Sequence, residues 1–464
     1  MDGYSRQTQS LPSHARETLH LAAPLAGALL AQMAMGVTDT VLLGALGDDA
    51  LAAGGLAGSI TISLLVVLQG ILASVSVLVA QAQGAGRHAD VPRIYWTGML
   101  LALLLVVPTF ILFSAAESLL LLVGEPPGLA HDVGAYLSVL RWCSPGALLG
   151  MGLLRAFLPT IGGGPLILWV TLGETLANGV LCYGLIHGVW GLPALGLQGA
   201  ALATVLVLTL GALVLLALLH LRPARRRFVT WCPPRLALLR TMLWLGLPVG
   251  ATFAVETGLF LAVALLIGLL GPAALAAQQV ALSILSVAFM IPLGIAQAAN
   301  IRVGHAVGAR DGTGALRAGL VAIGLGAGFE GLAALLNLVA PRTVVGFYLD
   351  PNAGEAFGIA IGLLGVATVF QIADGVQSVA AGALRGLGDT RVPFALAALA
   401  YWGVGFPAAW FLTMRAGLGA AGAWWGLAAS LTVVALLLTR RFVQRARQVR
   451  PIEADPLTKQ AIRA

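Results

Sequence analysis

Five carboxylates lie inside long apolar runs of this 464-residue sequence: Asp39, Glu174, Glu256, Glu330 and Asp374. An ionised acid at the centre of a lipid-facing helix costs roughly 2.5–3.5 kcal/mol on an insertion scale, so each must find a partner, a proton or a wet cavity. A cavity between helices is the economical arrangement, and acids in such a cavity bind cations. Glu256 stands in PVGATFAVETGLF, about two turns beyond Pro248. Asp374 has Gln371 and Gln377 three residues to either side, which makes one helix face a polar stripe. Asp39 is nearer the end of its run, where water could reach it, with Thr38 and Thr40 beside it. Glu174 and Asn178 are four apart and share a face, so they could pair with each other. Glu330 is alone among Gly and Ala, the setting of an inter-helix hydrogen bond.

Other chemistries find little support. Cys143, Cys182 and Cys232 have no paired spacing and read as free thiols. The Asp pairs of a Mg2+-diphosphate enzyme and the His/Glu set of a zinc hydrolase are missing from the apolar runs, which counts against a membrane-embedded enzyme. His305, near a helix end, is expected to be solvated.

The elements that must position these acids follow from composition. Residues are 59% hydrophobic and 10% charged, against roughly 25% charged in an ordinary soluble domain, which excludes a soluble enzyme and a secreted scaffold. At about 20 apolar residues per spanning helix, the chain holds about twelve spans. We expect them near 18–44, 52–80, 94–115, 134–157, 166–188, 195–220, 241–268, 275–300, 316–339, 356–384, 393–414 and 420–440. The polar first 17 residues lead into a run too long for a signal peptide, so the N-terminus is expected to be retained.

The net charge of +7 does not imply nucleic acid, because the arginines are spread over separate loops. They alternate in sidedness. Arg87, Arg93, Arg222, Arg225, Arg226, Arg227, Arg235, Arg310, Arg317 and Arg391 fall on even-numbered loops, and Arg440, Arg441, Arg445, Arg447 and Arg450 on the tail. The opposite loops carry mostly acids, with Arg342 and Arg415 as exceptions. The positive-inside rule then puts both termini in the cytoplasm, in the cell inner membrane.

The chain also echoes itself. A shift of 224 residues places Pro24 on Pro248, Gly47 on Gly271, Leu51–Ala53 on Leu275–Ala277, Gly70 on Gly294 and Gly84 on Gly308. It pairs Gln32 with Glu256, and a shift of 230 brings Leu154 and Arg155 onto Leu384 and Arg385. A further echo sets GLQG from Gly196 on GAAG from Gly419. With six spans per copy, the halves enter the membrane in the same sense and relate by an axis along its normal. The expected organisation is a cytoplasmic N-terminal segment (1–17), an N-terminal lobe (18–220), a cytoplasmic linker (221–240), a C-terminal lobe (241–440) and a cytoplasmic tail (441–464).

Several stretches resemble the multidrug and toxic compound extrusion (MATE) transporters, within them the NorM-like branch. They are VTDTVLLGALGDDALAA from Val37, NGVLCYGLI from Asn178, GLPALGLQGAALAT from Gly191, GLPVGATFAVETGLF from Gly246, AAQQVALSILSVAFMIPLGIAQAANIRVGHAVGA from Ala276 and QIADGVQSVAAGALRGLGDTRVP from Gln371. The resemblance covers nearly the whole chain. It implies an all-α membrane protein whose two parallel-repeat six-helix bundles form a V and export organic cations, such as drugs and dyes, in exchange for H+ or Na+. It also implies that Glu256 and Asp374 are the cation-coupling carboxylates of the C-terminal lobe and Asp39 the acid of the first span. Were Na+ the ion, Glu256 and Asp374 would be its ligands. One departure stands out: where many relatives carry an acid four residues after the Asn of the fifth span, this chain has Cys182.

The remaining cavity candidates are Gln32, Gln371, Gln377, Glu174 and Asn178, with Phe253, Phe260 and Tyr401 offering ring faces to an organic cation. Most Trp and Tyr of such chains mark the interfaces instead, and Trp169, Trp402 and Trp410 are read that way. A carboxyl held away from water favours its protonated form, so it can take up H+ on one side and exchange it for a cationic drug on the other. Carboxylate, hydroxyl and carbonyl oxygens suit Na+ equally. No cofactor is expected, the lipid bilayer is the chain's surroundings, and a monomer suffices. The rival cargo is a lipid-linked precursor, whose flippase needs a cationic cavity, whereas the midspan charges here are acidic.

Overall fold

The computed structural model describes residues 11–350 and 354–449, and every regular element among them is helical. Among the described residues, twelve helices are long and apolar enough to cross a membrane. In chain order these spans are Leu11–Gly44, Asp48–Gly84, His88–Ser114, Pro127–Ile161, Gly164–His187, Leu197–Leu221, Leu236–Gly268, Pro272–Gly308, Gly312–Val339, Glu355–Gly386, Arg391–Arg415 and Gly419–Arg447. Hydrocarbon offers no hydrogen bonds, so each spanning segment must satisfy its backbone internally, and a helix does so. Pro24, Pro108, Pro248 and Pro292 sit inside helices that packing against neighbours holds together.

Several helices outrun the apolar windows. The first begins at Leu11 rather than 18, and the twelfth continues to Arg447. Hydropathy marks only the buried length, whereas backbone hydrogen bonding carries the helix on into polar sequence. Between the sixth and seventh spans only residues 222–235 remain as connection, with a short turn of helix at Pro223–Arg226. Of the expected terminal segments, residues 1–10 and residues 450–464 with Arg450 lie outside the described residues.

The duplication is visible in the backbone. Gly47 and Gly271 precede the second and eighth spans with φ of 113° and 116°, a left-handed setting that favours glycine at both. Where the second and eighth spans cross, Asn300 Nδ2 donates to Ser76 Oγ at 3.1 Å, and these two residues are 224 apart. A position that touches its own repeat-mate lies on the two-fold axis, which therefore runs between these spans.

Around that axis small residues let the halves meet. A Cβ at Gly70 would press on Gly250, and one at Gly294 on Ala26, the same contact made twice. One at Gly84 would overlap the His305 carbonyl, and one at Gly308 the Gln81 carbonyl. His305, expected to be solvated, instead lies half-buried in this seam, with its Nε2 shielded and unpaired. The Gly84 and Gly308 contacts lie at the end of the molecule that holds the start of the first helix, here called the terminal end, and the Gly70 and Gly294 contacts nearer the middle of their helices. Toward the opposite end, Gly36, Gly47, Gly55, Gly58, Gly268 and Gly271 face open space. The halves thus join at one end and part at the other, forming a V.

Two hydrophobic cores follow the halves with one exchange. Leu239 and Met242, at the start of the seventh span, pack into the N-terminal core, while Ala22 of the first span packs into the C-terminal core. An asymmetric clasp is added at the same place. Arg302 of the eighth span donates to the His14 carbonyl and Thr18 Oγ1, each at 2.6 Å, and lies 2.7 Å from Glu17 Oε2. Its repeat-mate position holds Leu78, so this clasp has no counterpart. Nearby, Gln81 Nε2 donates to the Gly386 carbonyl at 2.9 Å.

Gly308→Val should wedge the terminal end apart. Overpacking of this kind costs about 1–3 kcal/mol, which a lowered melting temperature in detergent would register. Gly324→Ala, in open space on the ninth span, is the matched substitution and should leave the melting temperature level or slightly raised.

Candidate functional site

Each half carries its own buried carboxyl cluster. In the N-terminal half, Asn178 of the fifth span is fully buried and donates from Nδ2 to Asp39 Oδ1 at 2.5 Å. Cys182, one turn further on, brings its thiol within hydrogen-bonding reach of the same carboxyl. Position 182, where the resemblance implied an acid, therefore still faces Asp39, through a thiol. The hydroxyls of Thr38 and Thr40 turn back to the Ala34 and Gly36 carbonyls of their own helix and take no part.

Below this pair lies an arginine that the pattern of acids did not point to. Arg155 follows a π-helical stretch, Leu148–Leu154, in the fourth span and is buried. It donates from Nη1 to Gln32 Oε1 and from Nη2 to Thr171 Oγ1, the latter at 3.3 Å. Glu174 is its electrostatic partner. The spacing of Glu174 and Asn178 allowed a local pair, but the structure sends them to different neighbours, because Arg155 and Asp39 offer each a better one. Gly211 of the sixth span leaves the room that the Glu174 carboxyl occupies, since a Cβ there would overlap its Oε1.

The C-terminal half repeats this frame with more charge. Arg385, the counterpart of Arg155, interacts electrostatically with Glu256, the counterpart of Gln32. Gln377 Nε2 donates to Glu256 Oε1 at 3.2 Å, and the buried Tyr401 hydroxyl donates to Gln377 Oε1 at 3.0 Å. Tyr401 begins a π-helical turn, Tyr401–Gly405, directly after the regular helix Arg391–Ala400. Pro407 lacks the N–H that would bond the Gly403 carbonyl, which accounts for the widened turn there.

Asp374 is buried among these groups, and Glu256 and Glu330 both act on it electrostatically. Its Oδ1 is shielded from solvent and has no hydrogen-bond donor. Gln371, on the other side of Asp374, accepts from Asn337 Nδ2 at 2.9 Å and donates to Glu330 Oε2 at 3.3 Å. Glu330 is thus the inter-helix link its lone setting suggested, with Asn337 as a partner not foreseen. Among the described residues no hydrogen bond joins an acid of one half to an acid of the other.

The aromatic candidates divide. Phe253 lies against Gly70 in the seam between the halves. Phe260 meets Phe370 edge-on at 6.1 Å, and Phe370 meets Trp424, so Phe260 belongs to the C-terminal core stack. Trp169 is 71% exposed on the outer surface. Arg155, Arg385 and Asn337, with Cys182 noted above as a departure, complete the clusters beyond the candidate site residues read from sequence. The repeated Leu-Arg pair was the one signal that could have flagged the two arginines.

The chain is matched by the family model MatE, over residues 24–184 and again over 248–411, two matches that start 224 residues apart. It is 53% identical over 436 residues to a probable multidrug resistance protein NorM of Burkholderia pseudomallei (strain K96243), covering 93% of each chain. It is 52% identical over 436 residues to the multidrug resistance protein NorM of Burkholderia vietnamiensis, covering 93% of this chain and 94% of that one. In fold it is similar to the outward-facing conformation of a multidrug resistance MATE family transporter, with a TM-score of 0.84 or above for that and a eukaryotic MATE transporter, at 20% and 22% identity. These cover 97% and 95% of this chain, and 99% of each of theirs.

Arg155→Met strands Glu174 without a counter-charge and should destabilise the protein by about 3–5 kcal/mol. Adding Glu174→Gln should recover most of the loss. Thermal unfolding of wild type, both single variants and the double variant forms the cycle; strictly additive losses would show that the two side chains do not act as a pair.

Proposed function

The chain belongs to the MatE family, and we propose that it exports small organic cations from the cell in exchange for H+ or Na+, with Glu256 and Asp374 binding the coupling ion. As a member of that family it is a multi-pass membrane transporter and not an enzyme. The observation that carries the proposal is the Asp374 carboxyl, buried beside Glu256 with one oxygen lacking any donor. A buried acceptor without a donor is costly, and a proton or a bound cation supplies what is missing.

Two adjacent acids bind one cation well and two poorly. A coupling ion and an organic cation therefore exclude each other, and each favours the arrangement of the halves that suits it. For Na+, the Glu256 and Asp374 carboxylates with the Gln377 amide oxygen are the available hard ligands. Asp39, held by Asn178 and beside Cys182, is the N-terminal counterpart in this reading and shares in coupling. Gln32, Glu174, Gln371, Gln377 and Tyr401 hold the acids in place, and Phe253, at the seam, is the ring nearest the path of an organic cation. Carboxyls outnumber arginines in both clusters, which favours cationic cargo over the pyrophosphate of a lipid-linked precursor.

The two lobes, 18–220 and 241–440, are the moving bodies, and one chain is the working unit. The arginine-rich loops support a cytoplasmic location for both termini in the inner membrane. On that orientation the halves are closed toward the cytoplasm and open outward, and the Arg302 clasp must release before cargo can enter from inside.

In liposomes, a fluorescent organic cation should move under a pH gradient without Na+, or under a Na+ gradient at equal pH, and the effective gradient names the ion. Glu256→Gln and Asp374→Asn should each slow movement roughly tenfold or more, as loss of a hydrogen bond to a charged group implies. Folded protein that moves no cation under either gradient would refute the proposal. For the clasp, Arg302→Gln should speed labelling of a cysteine placed at the buried Ser76 by a membrane-impermeant maleimide added from the terminal side. Unchanged labelling would show that Arg302 does not hold that end shut.

A further inference from the structure

A crevice of about 370 Å³ at the terminal end has no part in the mechanism above. It lies between the N-terminal half, where the second span turns into the third, and the start of the seventh span. Three guanidiniums line it, from Arg87, Arg93 and Arg235, with Asp90 as the single acid. Asp90 is engaged by Arg87 at 3.7 Å. Arg93 and Arg235 form no ion pair among the described residues, and the Arg93 Nε is shielded from solvent without an acceptor. A guanidinium never gives up its charge, so a shielded and unpaired one calls for an anion.

The crevice is held in shape. The Trp96 indole donates to the Thr230 carbonyl at 3.1 Å and packs edge-on against Trp231 at 4.7 Å, which fastens the connection between the halves to the third span. The Arg235 N–H then reaches Thr97 Oγ1 at 3.4 Å, which sets Arg235 beside Arg93. Leu78, Ile94 and Leu238 supply apolar wall beneath the charges. A small soluble anion would use the guanidiniums alone, whereas an anion carrying an acyl chain would use the wall as well. Basic pockets between helices at the membrane boundary suit lipid headgroups.

We propose that this crevice binds the phosphate headgroup of an anionic phospholipid through Arg93 and Arg235, with its acyl chains along Leu78, Ile94 and Leu238. Because its walls join the second and third spans to the connection between the halves and the start of the seventh span, the bound lipid favours the arrangement in which that connection stays fastened to the N-terminal half, beside the Arg302 clasp. The proposal stands whatever the cargo or coupling ion.

The test titrates the purified full chain in detergent with fluorescent cardiolipin, with phosphatidylcholine and with inorganic phosphate, followed by binding and by the shift in melting temperature. Cardiolipin should bind and raise the melting temperature, and the Arg93→Gln/Arg235→Gln variant should weaken binding about fivefold for each guanidinium removed. Arg440→Gln/Arg447→Gln removes the same charge from exposed sites on the twelfth span and should have little effect. Should the first double variant fail to fold, Arg93→Lys and Arg235→Gln tested singly should each lower affinity. An equal loss in the Arg440/Arg447 variant would overturn the proposal as mere surface charge. So would phosphatidylcholine binding as tightly as cardiolipin, or inorganic phosphate displacing the lipid at comparable concentration.

Discussion

Hydrocarbon gives no hydrogen bonds, and that single constraint orders the molecule. It makes every described regular element a helix, and it drives polar side chains away from water to find partners, on their own helix or on another span. Asp39 finds Asn178, Gln371 ties Glu330 to Asn337, and Gln377 ties Glu256 to Tyr401. These links do the work of orienting the carboxyls, because an acid tethered at one oxygen presents the other. Asp374, among the acids, is shielded with an oxygen left over.

Duplication supplies the frame, and divergence supplies the difference between halves. Around the axis at Ser76 and Asn300 the glycine contacts recur almost residue for residue. Further out, the same arginine position meets an amide in one half and a carboxyl in the other. Gln32 satisfies Arg155 by hydrogen bonding alone, while Glu256 adds a charge that a mobile cation can compete for. In the N-terminal half the Cys182 thiol lies beside Asp39, so no second carboxyl joins Asp39 there. The proposed coupling chemistry is accordingly weighted toward the C-terminal half.

Much of this was legible in the sequence, for identifiable reasons. Acids in apolar runs are rare enough to announce themselves, and a shift of 224 recovers the repeat because glycines at close backbone approaches tolerate no substitute. The residues that read poorly are those whose partners are distant along the chain. Arg155 lies 123 residues from Gln32, and nothing in the spacing of Glu174 and Asn178 shows that each bonds elsewhere. His305 looked like a solvated helix end because the seam that buries it is built from the other half. Helix ends were misjudged where polar sequence continues a helix, as at Leu11 to Glu17, where His14 and Glu17 meet Arg302 of the other half.

The exchanged helix ends carry a consequence for biosynthesis. Leu239 and Met242 belong to the seventh span yet complete the core of the first six, and Ala22 waits for the core of the last six. A ribosome that has delivered only six spans has therefore delivered a half with an open flank. That half closes only when the start of the seventh span joins it, and the first span keeps an unfilled docking face until the eighth arrives. The two halves mature together rather than in turn, and the insertion machinery must shelter the early spans until synthesis has passed the middle of the chain.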